Sequence, residues 1–133
     1  MQGLMPPKPP KLSICIPTYN RARFLSETLE SIVSQASTDC EVVVLDGGSS
    51  DNTADIASRY QREFSGLRYV VQEERNGLDR AYDESVKLAR GEYCWVVTSK
   101  DLLKPGAIAA VLRLIREDIS LVALNMEIRD LTL

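Results

Sequence analysis

The sequence contains no histidine, and it has only seven glycines and six prolines among 133 residues. Without histidine the chain cannot form a Ser-His-Asp triad or a histidine-containing metal site. The small glycine and proline content excludes collagen-like and low-complexity chains. The remaining composition, 44% hydrophobic and 26% charged, is that of a globular protein with a core rather than of a disordered one.

Cysteine, positive charge and long apolar runs are limited as well. Cys15, Cys40 and Cys94 are far apart and form no CxxC pair, which argues against a disulfide framework or a zinc site and suits a reducing, cytoplasmic location. The net charge of −3, without a long basic run, predicts no nucleic-acid partner. No run approaches the roughly 20 apolar residues of a membrane span, so we expect no transmembrane segment and at most peripheral contact with an inner membrane.

The beginning of the sequence differs from the rest. Residues 1–10 (MQGLMPPKPP) contain four of the six prolines and predict a stiff proline-rich N-terminal arm. Residues 11–133 have the length of one ordinary domain.

Beyond the arm, strand-like and helix-like segments alternate. Short apolar runs predict strands at residues 12–16, 41–45, 67–72 and 93–97, with a fifth candidate at 121–128. Apolar residues at helical spacing predict helices at residues 23–36, from an Asn52 cap with Asp55 to about residue 64, at 79–89 with Gly91 as the terminating residue, and from Pro105 onward. This alternation predicts an α/β fold, a three-layer Rossmann-like and mostly parallel sheet with helices on both faces.

In such sheets ligands bind beyond the carboxyl ends of the strands, near the point where the strand order reverses. The candidate site therefore comprises the loops at residues 17–23, 46–51, 73–80 and 98–104. The sequence has no GxGxxG after its first strand and no GxxxxGK[ST], which disfavours dinucleotide binding and P-loop hydrolysis. A receiver-like domain is disfavoured too, because Pro17-Thr18 stands where an acidic pair would be needed.

Several stretches together resemble a known family. IPTYNR ends the first strand, Q-x5-EVVVLDGGSSDNT spans the second, and RGEY precedes the fourth. In order and spacing they resemble the family-two glycosyltransferases, nucleotide-sugar enzymes of the GT-A fold. ERNGLDRAYDESVKLARGEYCW followed by DLLKPGAI resembles most the bacterial O-antigen branch of abequosyltransferase-like proteins. The resemblance implies a domain that binds a nucleoside-diphosphate sugar for transfer to a saccharide or lipid-linked acceptor, in cell-surface polysaccharide or O-antigen synthesis.

The resemblance assigns the nucleoside to the first two loops. The aspartate that matches Asp46 holds the base in the family, and its carboxylate can accept a uracil-type N3–H; the alternative is an aspartate that caps its own turn. Pro17, Thr18 and Tyr19 would form the base and ribose wall, with Tyr19 as a stacking face or as plain packing. Gly47 permits a close backbone approach, which a simple turn would use equally.

The diphosphate is assigned to charged residues in the neighbouring loops. Asp79 and Arg80 follow the third strand, where the arginine can fork onto pyrophosphate oxygens; the alternative is a helix-capping aspartate beside a surface arginine. Arg23 either approaches a phosphate or only solvates the first turn of its helix, and the sequence leaves both open.

The loop after the fourth strand departs from the family pattern. The resemblance implies a DxD-type acidic cluster that holds a divalent cation, Mn²⁺ or Mg²⁺, between the phosphates. Ser99-Lys100-Asp101 stands there, so Asp101 is the candidate metal ligand while Ser99 and Lys100 are candidate donor contacts. Lys100 replaces an expected carboxylate and puts the cation in doubt. Either Lys100 itself neutralises the diphosphate, or the site has decayed, or the lysine only points into solvent.

The resemblance also implies a general base in an acceptor-binding half downstream. Glu127 and Asp130 lie too near the end of the sequence to be matched with it, so we assign no catalytic residue and expect a truncated nucleotide-binding half. The alternative function is a non-catalytic fold used as a structural or oligomerisation module, since uncovered helix faces and a free strand edge would favour a homo-oligomer.

Overall fold

A computed structural model describes residues 8–74 and 77–128 of the chain. Strands and helices alternate in the order β1 Leu12–Thr18, α1 Ala22–Val33, β2 Cys40–Asp46, α2 Thr53–Glu63, β3 Leu67–Val71, α3 Leu78–Leu88, β4 Tyr93–Val96 and α4 Ala107–Leu114. The four strands form one parallel sheet in the order β3-β2-β1-β4. The predicted α/β fold is confirmed, whereas most of the predicted proline-rich arm, residues 1–7, lies outside the described residues.

The two central strands are buried along their whole length. In β1 and β2 all seven positions are buried, and the strands run in register from Leu12 opposite Cys40 to Thr18 opposite Asp46. Central strands of a parallel sheet lose both faces to helices, which is why these runs are continuously apolar rather than alternating. Their register places the ends of β1 and β2 side by side at the carboxyl edge.

Helices cover the two faces of the sheet unequally. One apolar core unites the inward side chains of α1, α2 and α4 with one face of the strands; among its members are Ile14, Ile16, Leu25, Leu29, Val42, Val44, Tyr60, Ile108 and Val111. α3 packs on the other face, against β1 and β2.

Within residues 8–74 and 77–128, none of the helices has the length and apolar character needed to cross a bilayer.

A buried polar network lies under α3. Glu41 Oε1 accepts the Ser13 hydroxyl at 2.8 Å and the Arg90 backbone N–H at 2.7 Å, and Oε2 lies 3.3 Å from the Arg68 guanidinium. Burial alone would raise the pKa of Glu41, but the bonds from Arg90, Ser13 and Arg68 outweigh it and lower that pKa. Because its charge is compensated from three directions, the carboxylate joins β1, β2, β3 and the segment after α3.

Two predicted helix boundaries are wrong. α3 ends at Leu88, and Gly91 serves a close approach instead of terminating the helix, since a Cβ there would lie 2.7 Å from the Ser13 hydroxyl. α4 begins at Ala107 after Gly106, so Pro105 precedes the helix by two residues. Both corrections depend on neighbours that local sequence signals do not describe.

The fifth strand predicted at residues 121–128 is also wrong. This segment has no strand structure, and its apolar side chains are exposed, with Leu121 at 84%, Met126 at 77% and Ile128 at 91%. A strand forms only where a neighbouring strand completes its backbone hydrogen bonds. Among the described residues β4 pairs with β1 alone, and residues 121–128 form no ladder with its free edge, so their apolar pattern does not become a strand.

Candidate functional site at the carboxyl edge of the sheet

The strand order reverses between β1 and β4. The chain proceeds from β1 to β2 and β3 on one side and then crosses to β4 on the other side of β1. The Val97 backbone N–H donates to the Cys15 carbonyl at 2.9 Å, so the loop after β4 leaves the sheet beside the end of β1. This is the place where parallel sheets bind ligands, and the four predicted loops emerge along the same edge.

The loops after β1 and β2 are bonded into one unit. The Asn20 backbone N–H donates to the Ser49 hydroxyl at 2.8 Å, and Asn20 Oδ1 accepts the Ser50 N–H at 2.8 Å. The Gly47 N–H donates to the Thr18 carbonyl at 2.9 Å. Asn20 has a φ of 49°, a left-handed conformation that asparagine tolerates better than most residues.

Asp51 joins two helix N-termini. Its Oδ2 accepts the Ala22 N–H at 3.0 Å, at the start of α1, and its Oδ1 accepts the Thr53 N–H at 3.1 Å, at the start of α2. Asn52 occupies the predicted N-cap position of α2 and Asp55 lies in its first turn, but Asn52 makes no side-chain cap bond, and the Thr53 N–H is accepted by Asp51 instead. Burial opposes ionisation of Asp51, yet the bonds from Thr53 and Ala22 outweigh it and lower its pKa.

Asp46 is enclosed by its own turn. Its Oδ1 accepts the Gly48 N–H at 3.1 Å, the Ser49 N–H at 2.9 Å and the Ser49 hydroxyl at 2.6 Å, and the side chain is 2% exposed. Its Oδ2 accepts the Tyr69 hydroxyl. Burial, followed by this bond to Asp46, raises the pKa of Tyr69, so the phenol stays protonated as a donor. The turn-capping alternative is observed, and the base-binding role of Asp46 stays a prediction.

The opposite side of this strand end faces a cleft. Side chains alternate along a strand, so Leu45 and the position of Gly47 point toward α3 while Asp46 points away from it. Tyr19 packs here, with its ring 3.4 Å from the point that a Cβ of Gly47 would occupy. The neighbouring cleft, about 270 Å³ in volume, is lined by Leu45, Val70, Val71, Gln72, Glu84, Lys87 and Leu88. Gln72 connects this cleft to Gly47, since its Oε1 lies 3.7 Å from the point that a Cβ of Gly47 would occupy.

The remaining residues of the first loop have different surroundings. Pro17 is buried within β1. Thr18 is 6% exposed, and its Oγ1 has no hydrogen-bond partner in the part of the chain that the structure describes. Buried polar atoms are normally paired, so an unpaired one at a ligand edge points to a partner from outside the chain. Arg23 is exposed, with its guanidinium 5.8 Å from the centroid of the Phe24 ring.

The loop after β3 delivers Asp79 and Arg80 to the first turn of α3, where both are exposed. Asp79 stands in the turn where a carboxylate complements the helix dipole, as the capping alternative requires. Because α3 runs back from the carboxyl edge over β1 and β2, its first turn brings Arg80 to the edge occupied by the first two loops.

The loop after β4 is held mainly by bonds within itself. Asp101 Oδ2 accepts the Thr98 N–H at 3.0 Å, and the Asp101 N–H donates to the Thr98 carbonyl at 3.2 Å. Ser99 is 7% exposed, whereas Lys100 and Asp101 are exposed. A short closed turn therefore presents a lysine and a carboxylate next to each other.

These residues could not hold a divalent cation without further ligands from a bound molecule. A divalent cation held by protein alone takes about six oxygen ligands, whereas one bound with a nucleotide takes one or two carboxylates together with phosphate and water oxygens. Here Asp101 is a single carboxylate that already holds its own turn, with the Lys100 ammonium beside it in sequence. Across residues 8–74 and 77–128, no three acidic, cysteine or histidine side chains cluster as a metal site would need.

The structure brings together Thr18, Tyr19, Asp46 and Gly47, as predicted, at the ends of β1 and β2. Lys100 and Asp101 lie beyond β4, on the opposite side of β1 from the β3–α3 loop. Sequence reasoning missed a set of residues that hold the site together, namely Asn20, Ser49, Asp51, Tyr69 and Gln72. Asn20 and the polar run after β2 carried a signal, since polar residues directly after strands often bond the next loop.

The parallel sheet and the meeting of its loops at the carboxyl edge define a Rossmann-like α/β domain. The sequence pattern named glycosyl transferase family 2 matches residues 13–131, and the chain belongs to this family. The resemblance seen in the motifs is thereby confirmed.

Individual relatives agree with this assignment. Abequosyltransferase RfbV of Salmonella typhimurium is 36% identical over 101 residues, which are 74% of this chain and 30% of the relative. The crystal structure of S. aureus TarS 1–349 in complex with UDP-GlcNAc has a TM-score of 0.72 at 29% identity and covers 77% of this chain and 30% of that one. Mannosyltransferase PcManGT from Pyrobaculum calidifontis, in complex with GDP-Man and Mn²⁺, has a TM-score of 0.67 at 28% identity and covers 77% and 31%. The chain thus spans less than a third of the length of these proteins.

Proposed function

We propose that the carboxyl edge of the sheet binds a nucleoside-diphosphate sugar and serves as the donor half of a glycosyltransferase. The observation that carries this proposal is the joining of the β1 and β2 loops into one wall beside the point where strand order reverses. The structures of TarS with UDP-GlcNAc and of PcManGT with GDP-Man and Mn²⁺ support a donor of this class. In the whole protein the sugar would pass to a saccharide or lipid-linked acceptor of a cell-surface polysaccharide.

The nucleoside would lie along the first wall. Pro17 and Thr18 would shape it, Tyr19 would stack on the base, and Gly47 would allow the base to approach the backbone. For Asp46 the available acceptor is Oδ2, because Oδ1 already holds three donors. A base N–H would therefore share Oδ2 with the Tyr69 hydroxyl.

The diphosphate would meet positive charge from the chain itself. Arg80 with Asp79 beside it, and Arg23 at the start of α1, would approach from one side, and Ser99 with Lys100 from the other. Because Asp101 is the single carboxylate of this turn and already holds it together, we assign the neutralising charge beyond β4 to the neighbouring Lys100 ammonium. An ammonium binds phosphate as a point charge and needs no carboxylate ligands.

Calorimetry tests this proposal directly. UDP, CDP and GDP are titrated into the unmodified chain, with Mn²⁺ and with a chelator, alongside thermal melting at saturating nucleotide. We expect measurable binding of at least one diphosphate that persists in chelator. An absence of both heat and thermal protection with every nucleotide overturns the proposal.

Thr18→Val tests whether the wall formed by the β1 and β2 loops contacts the donor, and Thr28→Val is the matched control. Both threonine hydroxyls are buried without a partner in the described residues, but Thr28 faces the core from α1. If the Thr18 hydroxyl meets the donor, its loss should weaken nucleotide binding by about 5–10-fold, the worth of one hydrogen bond, without lowering the free energy of unfolding. Equal affinities for the two variants would remove Thr18 from the site.

Lys100→Gln tests whether the Lys100 ammonium binds the diphosphate. Lys11→Gln is the control, because Lys11 precedes β1 at the opposite, amino edge of the sheet. We expect Lys100→Gln to weaken UDP binding and to leave uridine binding unchanged, because uridine lacks the diphosphate. Equal loss in the Lys11 variant would mean that Lys100 acts only through net charge.

A further inference from the structure

Gln35 connects the end of α1 to the chain that follows the Lys100–Asp101 turn. It is the first residue of the stretch Q-x5-EVVVLDGGSSDNT and directly follows the α1 C-cap, Ser34. Its side-chain Nε2 donates to the Lys104 carbonyl at 3.0 Å, and its Oε1 accepts the Ile108 N–H at 3.0 Å. One amide therefore binds the backbone both before α4 and at its start.

Ser31, one turn earlier on α1, supports the same segment. Its hydroxyl accepts the Leu103 N–H at 3.1 Å, and its carbonyl accepts a second bond from Gln35 Nε2 at 2.8 Å. Because both sides of the Gln35 amide are occupied, its orientation is fixed. The Leu103 side chain is 8% exposed and packs in the core. Residues 103–108 are thus held on the C-terminal end of α1 by hydrogen bonds and by a buried apolar side chain.

These bonds fix one end of the turn that presents Lys100. At the other end, the Val97 N–H donates to the Cys15 carbonyl of β1 at 2.9 Å. Only residues 98–102 lie between this bond and the attachment of Leu103 to α1. A segment this short cannot move far from its two ends, so β1 and α1 together decide where the lysine stands.

The same helix also contacts the first wall of the site. At its start the Ala22 N–H donates to Asp51, in the loop after β2, at 3.0 Å. The hydrogen-bonded backbone of a helix keeps its two ends at a fixed separation. α1 therefore joins the loops that would hold the nucleoside to the turn that would hold the diphosphate.

We infer that Gln35, assisted by Ser31, is a positioning residue that holds the Lys100 ammonium at the phosphates of the donor. The attraction between two charges falls with their separation and is screened by water and salt, so an ammonium displaced from phosphate contact loses most of its effect. Removing the Gln35 amide allows the turn to shift while the lysine is still present. This inference rests on the proposed donor site and adds to it a residue at the far end of α1.

Gln35→Met tests this role, because methionine keeps the length of the side chain and removes the bonds of the amide. UDP and uridine are titrated by calorimetry into the unmodified full chain and into the variant. We expect the affinity for UDP to fall about 3–10-fold and the affinity for uridine to change by less than about twofold, since uridine carries no phosphate. A purely structural tie between α1 and α4 would change stability without distinguishing the two ligands.

Gln61→Met is the matched control. Gln61 is also a helix glutamine whose Nε2 donates to a backbone carbonyl, that of Leu67 at 3.5 Å, but it lies beside β3, at the other edge of the sheet from β4. Its substitution should leave the ratio of the UDP and uridine affinities unchanged. Ser31→Ala should lower the UDP affinity as Gln35→Met does, whereas Ser31→Thr, which retains a hydroxyl acceptor, should preserve it.

A combined variant separates positioning from an independent contribution. If Gln35 acts through Lys100, Gln35→Met together with Lys100→Gln should bind UDP within about twofold of Lys100→Gln alone. Losses of affinity that multiply in the combined variant would overturn the inference. Equal losses for UDP and uridine in Gln35→Met would overturn it as well.

The same measurements distinguish this inference from the donor site. If the unmodified chain binds neither UDP nor uridine, the donor site itself is wrong. If it binds UDP and Gln35→Met binds UDP as tightly, the donor site stands and the positioning role of Gln35 is overturned. If Lys100→Gln binds UDP as tightly as the unmodified chain, the roles of both Lys100 and Gln35 are overturned.

Discussion

The loops after β1 and β2 differ sharply from the loop after β4. In the first pair, bonds cross between the loops, and Asn20, Ser49 and Asp51 each connect one loop to the other or to its helix. In the second, the tip closes on itself through Thr98 and Asp101. One wall of the site is thus held by the fold, whereas the other presents an exposed lysine and carboxylate on a short turn.

This difference suggests separate tasks for the two walls. A base and ribose have a fixed shape and are best met by preorganised groups, which the joined loops supply. A diphosphate is flexible and strongly charged, and it can be met by a mobile ammonium on an exposed turn. The comparison can be tested by removing the groups that hold each wall.

Asp51→Ala should have the largest effect. The substitution leaves the Ala22 and Thr53 N–H groups without their acceptor at two helix N-termini, so we expect a loss of about 2–3 kcal/mol in the free energy of unfolding. Urea denaturation measures it. Asp55→Ala, an exposed change in the first turn of α2, is the control and should cost well under half as much. Equal losses of unfolding free energy in the two variants would show that Asp51 does not hold the N-termini of α1 and α2 together.

The pH dependence gives Asp51 a second readout. Its pKa in the folded chain lies below its ordinary value of 3.8, so its contribution is complete above that value and is lost as the pH falls through the folded pKa. The stability difference between the unmodified chain and Asp51→Ala should therefore shrink below about pH 4. A difference that stays constant into acid would show that the carboxylate charge is not involved.

Substitutions of Asn20 should have an intermediate effect on stability. Two of them separate the loss of the hydrogen bonds from the strain of the left-handed backbone conformation. Asn20→Ala removes the Oδ1 acceptor and places alanine at a φ of 49°, for an expected loss of about 1–2 kcal/mol. Asn20→Gly removes the same acceptor but tolerates this φ, so it should be less destabilised by about 1 kcal/mol. Thermal melts of both variants measure the difference, and the reverse order would contradict the strained conformation.

Asp101→Ala should have the smallest effect. Its bond to the Thr98 N–H is local and exposed, so we expect a loss of at most about 0.5 kcal/mol. We also expect nucleotide binding to be equally insensitive to Mn²⁺ before and after the change. A marked loss of Mn²⁺-dependent binding in Asp101→Ala would restore this aspartate as a metal ligand.

Much of the fold could be predicted because its signals are local. The apolar runs of β1 and β2 and the helical periodicity of α1 and α2 each lie within a few residues, and turn residues separate them. The prediction of a fifth strand was wrong because strand formation depends on a partner elsewhere in the chain. The prediction that Gly91 terminates α3 was wrong for a similar reason, since this glycine allows a close contact with Ser13.

The candidate site was predicted in its place but not in its detailed contacts. Motif order was enough to select the loops and to indicate the family. It did not reveal that Asp46 lies beneath its own turn, or that the Tyr69 hydroxyl meets it. Strand alternation and register decide those contacts, and a change of one position would exchange the two faces.

The sequence by itself determined the alternation of strands and helices, the sheet edge at which the candidate loops meet, and the family, because periodicity, turn residues and motif order are properties of the sequence itself. Only the tertiary structure decided which polar groups satisfy one another and which remain for a ligand. Gln72 and Glu84 are twelve residues apart in sequence, and their bond exists because α3 folds back over the sheet. Such pairings depend on packing between distant elements, which no local pattern specifies.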